Sequence, residues 1–253
     1  MADQFGVKEV MNVTYFDLET WQPALYVDTL KLSNLENTAE QSMARGGVGN
    51  PILLTWDYNR EANFEVQDAL MTFKSLSMLA GTTLKTDEDT TLHMREVLTV
   101  DTMDEVELTY TPVDGDTTDL LFIYKLGDDS GQPLDIVSLT GTTVNLGYGD
   151  QVDEGDQVVA YYPYESSVLA ARPNIVTITS EDFPGYYRVV GDTVVRNART
   201  GLDEKFQLIV ERAKIQPGFT VSMQAEGDPA VFDMNLQVFK PVDKSEMIKM
   251  IKY

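Results

Sequence analysis

PILLTWDYNREANFEVQDALMTFKSLSMLAG, residues 51–81, changes its hydrophobic period once, and that change decides the fold class. Pro51 to Asp57 reads as a strand, and Ala62, Phe64 and Val66 alternate with Asn63, Glu65 and Gln67 as a second. Alternation with period two places these sets on opposite faces of a sheet. At Gln67-Asp68 the period switches, and Phe73, Leu76, Leu79 and Ala80 fall on one side of a short helix with Asp68 as N-cap and Gly81 as terminator. One amphipathic helix of about 12 residues cannot make a core alone and needs a sheet to cover.

The flanking sequence supplies that sheet. Upstream, 12–18 and 23–31 are aromatic, β-branched strands, whereas 34–50 lacks an apolar period, holds three Gly near its end and reads as a long mobile loop. Downstream, 92–100 and 106–110 alternate as half-buried antiparallel strands, and 120–125, 136–139, 142–146 and 157–164 are four short strands between acidic, Gly-containing turns. Further strands follow at 174–178, 187–190, 194–196 and 206–211. Phe219, Val221, Met223 and Ala225 are expected to turn through Glu226-Gly227-Asp228-Pro229 into a partner at 231–239, forming a hairpin.

Composition narrows the function. The 253 residues carry 41 acidic and 19 basic side chains, a formal charge of -22 that opposes nonspecific coating of nucleic acid. From 81 to 170 there are 19 acidic residues against Lys85, Arg95 and Lys125, so the excess is regional. The runs at Asp87-Glu88-Asp89, Asp114 and Asp116, Asp128-Asp129 and 150–156 sit beside Gly, Thr or Ser as solvated turns do, and none has the spacing of a twelve-residue calcium loop. No Cys and a single His, His93, remove disulfides, thiol nucleophiles and His-pair metal motifs. No nucleophile elbow, phosphate loop or dinucleotide fingerprint occurs. Acidic pairs could serve glycoside hydrolysis, but 41 candidates restrict nothing. Neither the N-terminal MADQFGVKEV nor any later window resembles a signal peptide or membrane span. The expectation is a structural protein with no catalytic residues, cofactor or metal.

The order of elements resembles the tail tube protein, or major tail protein, family of tailed bacteriophages over about residues 12–108 and 174–240. The similarity is carried by Gly47-Val48-Gly49-Asn50-Pro51, Trp56-Asp57-Tyr58-Asn59-Arg60, Phe64-Glu65-Val66-Gln67-Asp68-Ala69-Leu70, Ser75-Leu76, and Ala225-Glu226-Gly227-Asp228-Pro229 before Phe232-Asp233-Met234. The resemblance implies a mainly β fold: an antiparallel β-sandwich or barrel of tail-tube type with one flanking helix, from 1–110 and 170–253. An inserted small, acidic β-sandwich-like domain would span 111–169. It further implies self-association into hexameric rings stacked as a hollow tube, contacts with other tail proteins, passage of DNA without specific binding, no membrane partner, assembly in the host cytoplasm and residence in the virion tail. The alternative is a capsid decoration, baseplate or tail-completion protein.

Two sets of residues follow from that resemblance. Glu65, Gln67, Gln224, Asp233, Asn235 and Gln237 are candidates to line the channel, where acidic and neutral groups would keep DNA from adhering. Met43, Arg45, Val48, Ile52 and Leu53 are candidates to order the 34–50 loop against a neighbouring ring. The C-terminal 244–253 mixes Met and Ile with three Lys and is expected to pack along the ring, contact an acidic neighbour or fray.

Overall fold

The computed structural model describes residues 4–113, 118–128, 131–147, 151–221, 223, 225 and 231–253. The chain forms two compact units, Met1–Leu84 with Val176–Tyr253, and Lys85–Ile175. Both are mainly β with antiparallel sheets, and the described residues contain one α-helix.

The first unit begins with β1 (Phe5–Val7), β2 (Asn12–Asp17), β3 (Pro23–Val27), β4 (Leu30–Arg45), β5 (Ile52–Asp68) and α1 (Phe73–Ala80). The second contains β6 (Thr91–Thr99), β7 (Glu105–Glu107), β8 (Phe122–Lys125), β9 (Ser138–Thr140), β10 (Thr143–Asn145) and β11 (Gln157–Glu165). The first resumes with β12 (Tyr186–Asn197), β13 (Asp203–Ile215), β14 (Phe232–Val238) and β15 (Ile248–Lys252). Its sheet runs β3-β2-β12-β13-β14-β5-β4, with β1 beside β12 and β15 beside β13. The outermost strands β3 and β4 are separated in sequence by Asp28-Thr29 alone, and one buried cluster draws on both halves of the order: Val13, Tyr15 and Val27, Phe64 and Val66, Leu208 and Val210, Met234 and Leu236. Alternation accounts for these positions, since Phe206, Leu208 and Val210 on β13 and Phe232, Met234, Leu236 and Val238 on β14 are all buried.

Helix α1 covers this cluster with Met78 and Leu79. Its start is a capping box: Thr72 Oγ1 accepts from the Ser75 N–H (3.0 Å), and Ser75 Oγ accepts from the Thr72 N–H (3.1 Å). Asp68, the expected N-cap, is instead the buried end of β5. Its Oδ1 accepts from Thr29 Oγ1 (2.5 Å) and from the Leu70 N–H (3.1 Å), so its carboxylate is consumed by the turn leaving the strand. Gly81 ends the helix at φ 73°, and Phe73, expected on the buried face, is exposed.

Three further expectations are corrected. Most of the supposed loop 34–50 is strand, paired with β5 from Leu30 opposite Asp68 to Arg45 opposite Ile52. The two strands at 51–57 and 62–66 are one, β5. Among the described residues the late hairpin has no first strand: Phe219 to Val221, Met223 and Ala225 are not in a strand, and β14 pairs with β5 and β13. The turn 226–229 lies outside the described residues.

In the second unit, sheets β7-β10-β9 and β6-β11-β8 share a cluster including Val106, Val144, Leu146, Ile123, Val158 and Tyr162. Tyr162 donates to Glu96 Oε1 (2.6 Å) and accepts from the Tyr110 N–H (3.1 Å), anchoring a segment beyond β7 to β11. Because β6 pairs with β11, the unit is wider than the 111–169 segment set apart from sequence. It holds 19 acidic residues against Lys85, Arg95, Lys125 and Arg172. Asp114, Asp116, Asp129 and Asp150 of its acidic turns lie outside the described residues.

Candidate functional site

The far half of the β4–β5 hairpin stands clear of the core. From Ile52 to Glu61 every residue of β5 is exposed, and so is β4 from Glu36 to Arg45 except for half-buried Ala44. The register explains how this arm presents its side chains. Thr38 pairs with Glu61 but Glu40 with Tyr58, so Asn59 and Arg60 together oppose Ala39, and Asn59 adopts φ 49°. Such a bulge exchanges the two faces of a strand. Leu54, Trp56 and Tyr58, which share sequence parity with the buried Phe64 and Val66, are thereby placed on the face of Asn63 and Glu65, opposite Ala44, Ser42 and Glu40. The other face carries the cross-strand pair Gln41 Nε2–Asp57 Oδ1 (2.8 Å). The turn closes with Gly47 and Gly49 at φ 83° and 86°, backbone that favours glycine.

Met43, Arg45, Val48, Ile52 and Leu53 therefore come together at the distal end of the arm. Val48 is fully exposed at the tip, and Met43, Ile52 and Leu53 are exposed too. The sequence reading did not assign Leu54, Trp56 and Tyr58 to this surface. Their alternation was legible as strand, but the bulge that turns them outward was not.

A second surface lies at the root. Asp233 pairs with Gln67, Asn235 with Glu65 and Gln237 with Asn63, so five of the six proposed channel residues share one sheet face. Gln224 lies outside the described residues. Asn34 and Glu36 on β4 extend the face, and Asn34, Glu36, Glu65, Asn235 and Gln216 border a groove of about 210 Å³. Lys214, paired with Gln237, adds a cation to this face, its ammonium 5.5 Å from the Tyr186 ring centre. The opposite face of these strands is the buried Phe64, Val66, Met234 and Leu236.

A third feature is a cleft of about 590 Å³ between the β2–β3 turn, the start of β12 and residues 241–244. At its base Glu211, almost fully buried, is held by Lys244 Nζ (3.0 Å) and Arg188 Nε (3.4 Å). The Arg188 guanidinium lies 4.9 Å from the Trp21 ring centre, and that of Arg212 lies 4.3 Å from the Tyr186 ring. Trp21 is 55% exposed and sits at φ 59°, a costly conformation for a bulky residue.

Asp17 organises the turn that bears Trp21. Its Oδ1 accepts from the Thr20 N–H (2.8 Å), Thr20 Oγ1 (3.0 Å) and the Glu19 N–H (3.0 Å), which lower its pKa below the ordinary 3.8. A carboxylate depressed in the folded state contributes stability fully above its unfolded pKa and loses it as pH falls through the folded value. A carbon-13 titration should find Asp17 ionised below the usual range and its pKa moved back upward in T20V. An unchanged titration in that variant would contradict the geometry.

A family model described as the YomU/Tube protein family matches residues 5–252, nearly the whole chain. No curated protein matches it.

Proposed function

Because the chain belongs to the YomU/Tube family and has the structural role of a phage tail tube protein, we propose that it assembles as hexameric rings, stacked into a hollow tube that conducts phage DNA during ejection. The observation that carries this reading is the exposed arm. A monomer gains nothing by holding Ile52, Leu53, Leu54, Trp56 and Tyr58 in water, whereas a row of large apolar side chains such as Leu54, Trp56 and Tyr58 on one face suits a subunit contact. In the proposed ring, strands of neighbouring copies complete an inner barrel, which removes the unpaired edge of β4. The first unit serves as the tail-tube β domain of sandwich or barrel type, and the acidic second unit is an insert. Other tail proteins contact the tube, and it reaches the virion after assembly in the host cytoplasm.

The polar face of β5 and β14 lines the channel in this reading, with Glu65, Gln67, Asp233, Asn235, Gln237 and Gln224 toward the DNA. The carboxylates repel a phosphate backbone and the amides add no positive charge to hold it, so DNA slides without specific binding. Electron microscopy of purified protein under assembly conditions should show hollow tubes with sixfold rings, and particles of another symmetry would overturn the proposal. Tubes of the E65K/N235K variant should retain short duplex DNA at low salt and release it as salt rises, whereas unaltered tubes retain none. Equal behaviour of the two tubes would place this face away from the channel.

A further inference from the structure

The arm needs a receiving surface, and the register of the main sheet indicates where one lies. A line of paired residues crosses the sheet from Asn63 to Gln237, Lys214 and Tyr186, beside the pair Tyr187–Asp17. From this line the arm runs one way, for about 33 Å over the ten residues Ile52–Glu61 at strand rise. The β2–β3 turn with Trp21, and Gly185 before β12, lie the other way, while Glu211, Arg212 and residues 241–244 close the same cleft just on the arm's side of the line. Copies repeated head to tail along the strands would carry the arm of one to the Trp21 side of the cleft of the next, a heterologous contact that extends indefinitely.

We propose that the tip of the β4–β5 arm docks into the Trp21–Tyr186 cleft of a second copy of this chain. The inference rests on the stacked-tube reading and names the surface that receives the arm. Three observations support the match. The cleft has an apolar rim of Trp21, Tyr186 and fully exposed Val242, facing the chemistry of Val48 and Leu53 at the tip. Arg45 is the cation of the arm's distal half and among the described residues reaches only Met43 Sδ, 3.7 Å away, while Glu19 and Asp243 stand exposed at the cleft. The cleft is also set in advance, because Glu211, Lys244 and Arg188 fix the floor on which Trp21 rests. Aromatic and arginine side chains in a preformed hollow are the composition of an energetic centre in protein interfaces.

Absence of native cysteine makes the test clean. V48C chains are mixed with affinity-tagged V242C chains, assembled and oxidised, and the disulfide-linked heterodimer is quantified against a V48C plus L202C mixture. Leu202 is exposed at the β12–β13 turn and is not among the residues lining the cleft. The expected result is a V48C–V242C yield on the order of tenfold above that control, as proximity in the assembly dictates. Tubes that form normally with no excess over the control would overturn the docking site while leaving the tube reading intact. Failure of the unaltered protein to form any tube would overturn both.

Discussion

L54S/W56S/Y58S is expected to yield a folded chain that no longer forms tubes. All three side chains are about half exposed or more and lie beyond the Asn59 bulge, outside the buried cluster of the first unit. Their removal therefore takes little from the core, and the thermal transition should remain within a few degrees of the parent, as expected of surface changes of about 0.5 kcal/mol each. The assembled state is another matter. Trp and Tyr buried at the centre of an interface commonly cost about 2 kcal/mol or more each on truncation, and a loss of about 4 kcal/mol is roughly a thousandfold in the affinity of a single contact. A growing tube repeats that loss at every subunit. Sedimentation and electron microscopy, with circular dichroism as the folding control, decide the matter: abundant tubes from the triple variant would show that the arm carries no assembly energy.

The same three residues show how far the sequence could be read. Ala62, Phe64 and Val66 announced a half-buried strand because alternation survives wherever one face meets a core. Leu54, Trp56 and Tyr58 continue that parity, and only the extra residue at Asn59-Arg60 moves them to the other face, a feature of pairing with Ala39 that no local pattern encodes. β4 was missed for a related reason. A strand exposed on both sides has no apolar period, and its conformation is set by β5 through backbone hydrogen bonds. The opposite error occurred at Phe219 to Val221, Met223 and Ala225, where alternation is present without a strand, and the expected partner β14 pairs with β5 and β13 instead. The polar face fared better. Glu65, Gln67, Asp233, Asn235 and Gln237 were legible as one set because each strand's alternation holds and the two strands pair in register. The Trp21 cleft was illegible, because its members come from three distant segments joined only by tertiary packing.

G81A is expected to destabilise the first unit strongly, by about 3 kcal/mol or more. Gly81 sits at φ 73°, where an L-residue costs roughly 1–2 kcal/mol. Space is the larger obstacle. A Cβ there would lie 2.3 Å from the carbonyl carbon of Phe183 and 2.4 Å from its oxygen, so backbone must move. The chain cannot yield cheaply on the helix side, because Thr82 N–H donates to Ser77 O (2.9 Å) and Gly81 N–H to Met78 O (3.3 Å), closing the terminus. If α1 moves instead, Met78 and Leu79 leave the main buried cluster. The expected fall in transition temperature is about 6–12 °C, at roughly 2–4 °C per kcal/mol for a unit of this size. Two companion variants separate the causes. Asn tolerates left-handed backbone better than Ala, so G81N should recover a fraction of the loss if conformation matters, and none if the overlap dominates. F183A/G81A should recover nothing, since the overlap is with the Phe183 backbone and its ring is exposed. A G81A protein that melts with the parent would refute the close approach. The consequence reaches the arm, because β5 runs from the exposed hairpin through Phe64 and Val66 to Asp68 and then by a four-residue connection to α1. The helix that Gly81 terminates thus packs on the same cluster that anchors the strand bearing Leu54, Trp56 and Tyr58. A loosened anchor should therefore lower tube yield at temperatures below global unfolding, a loss that the triple arm variant would show with its melting within a few degrees of the parent.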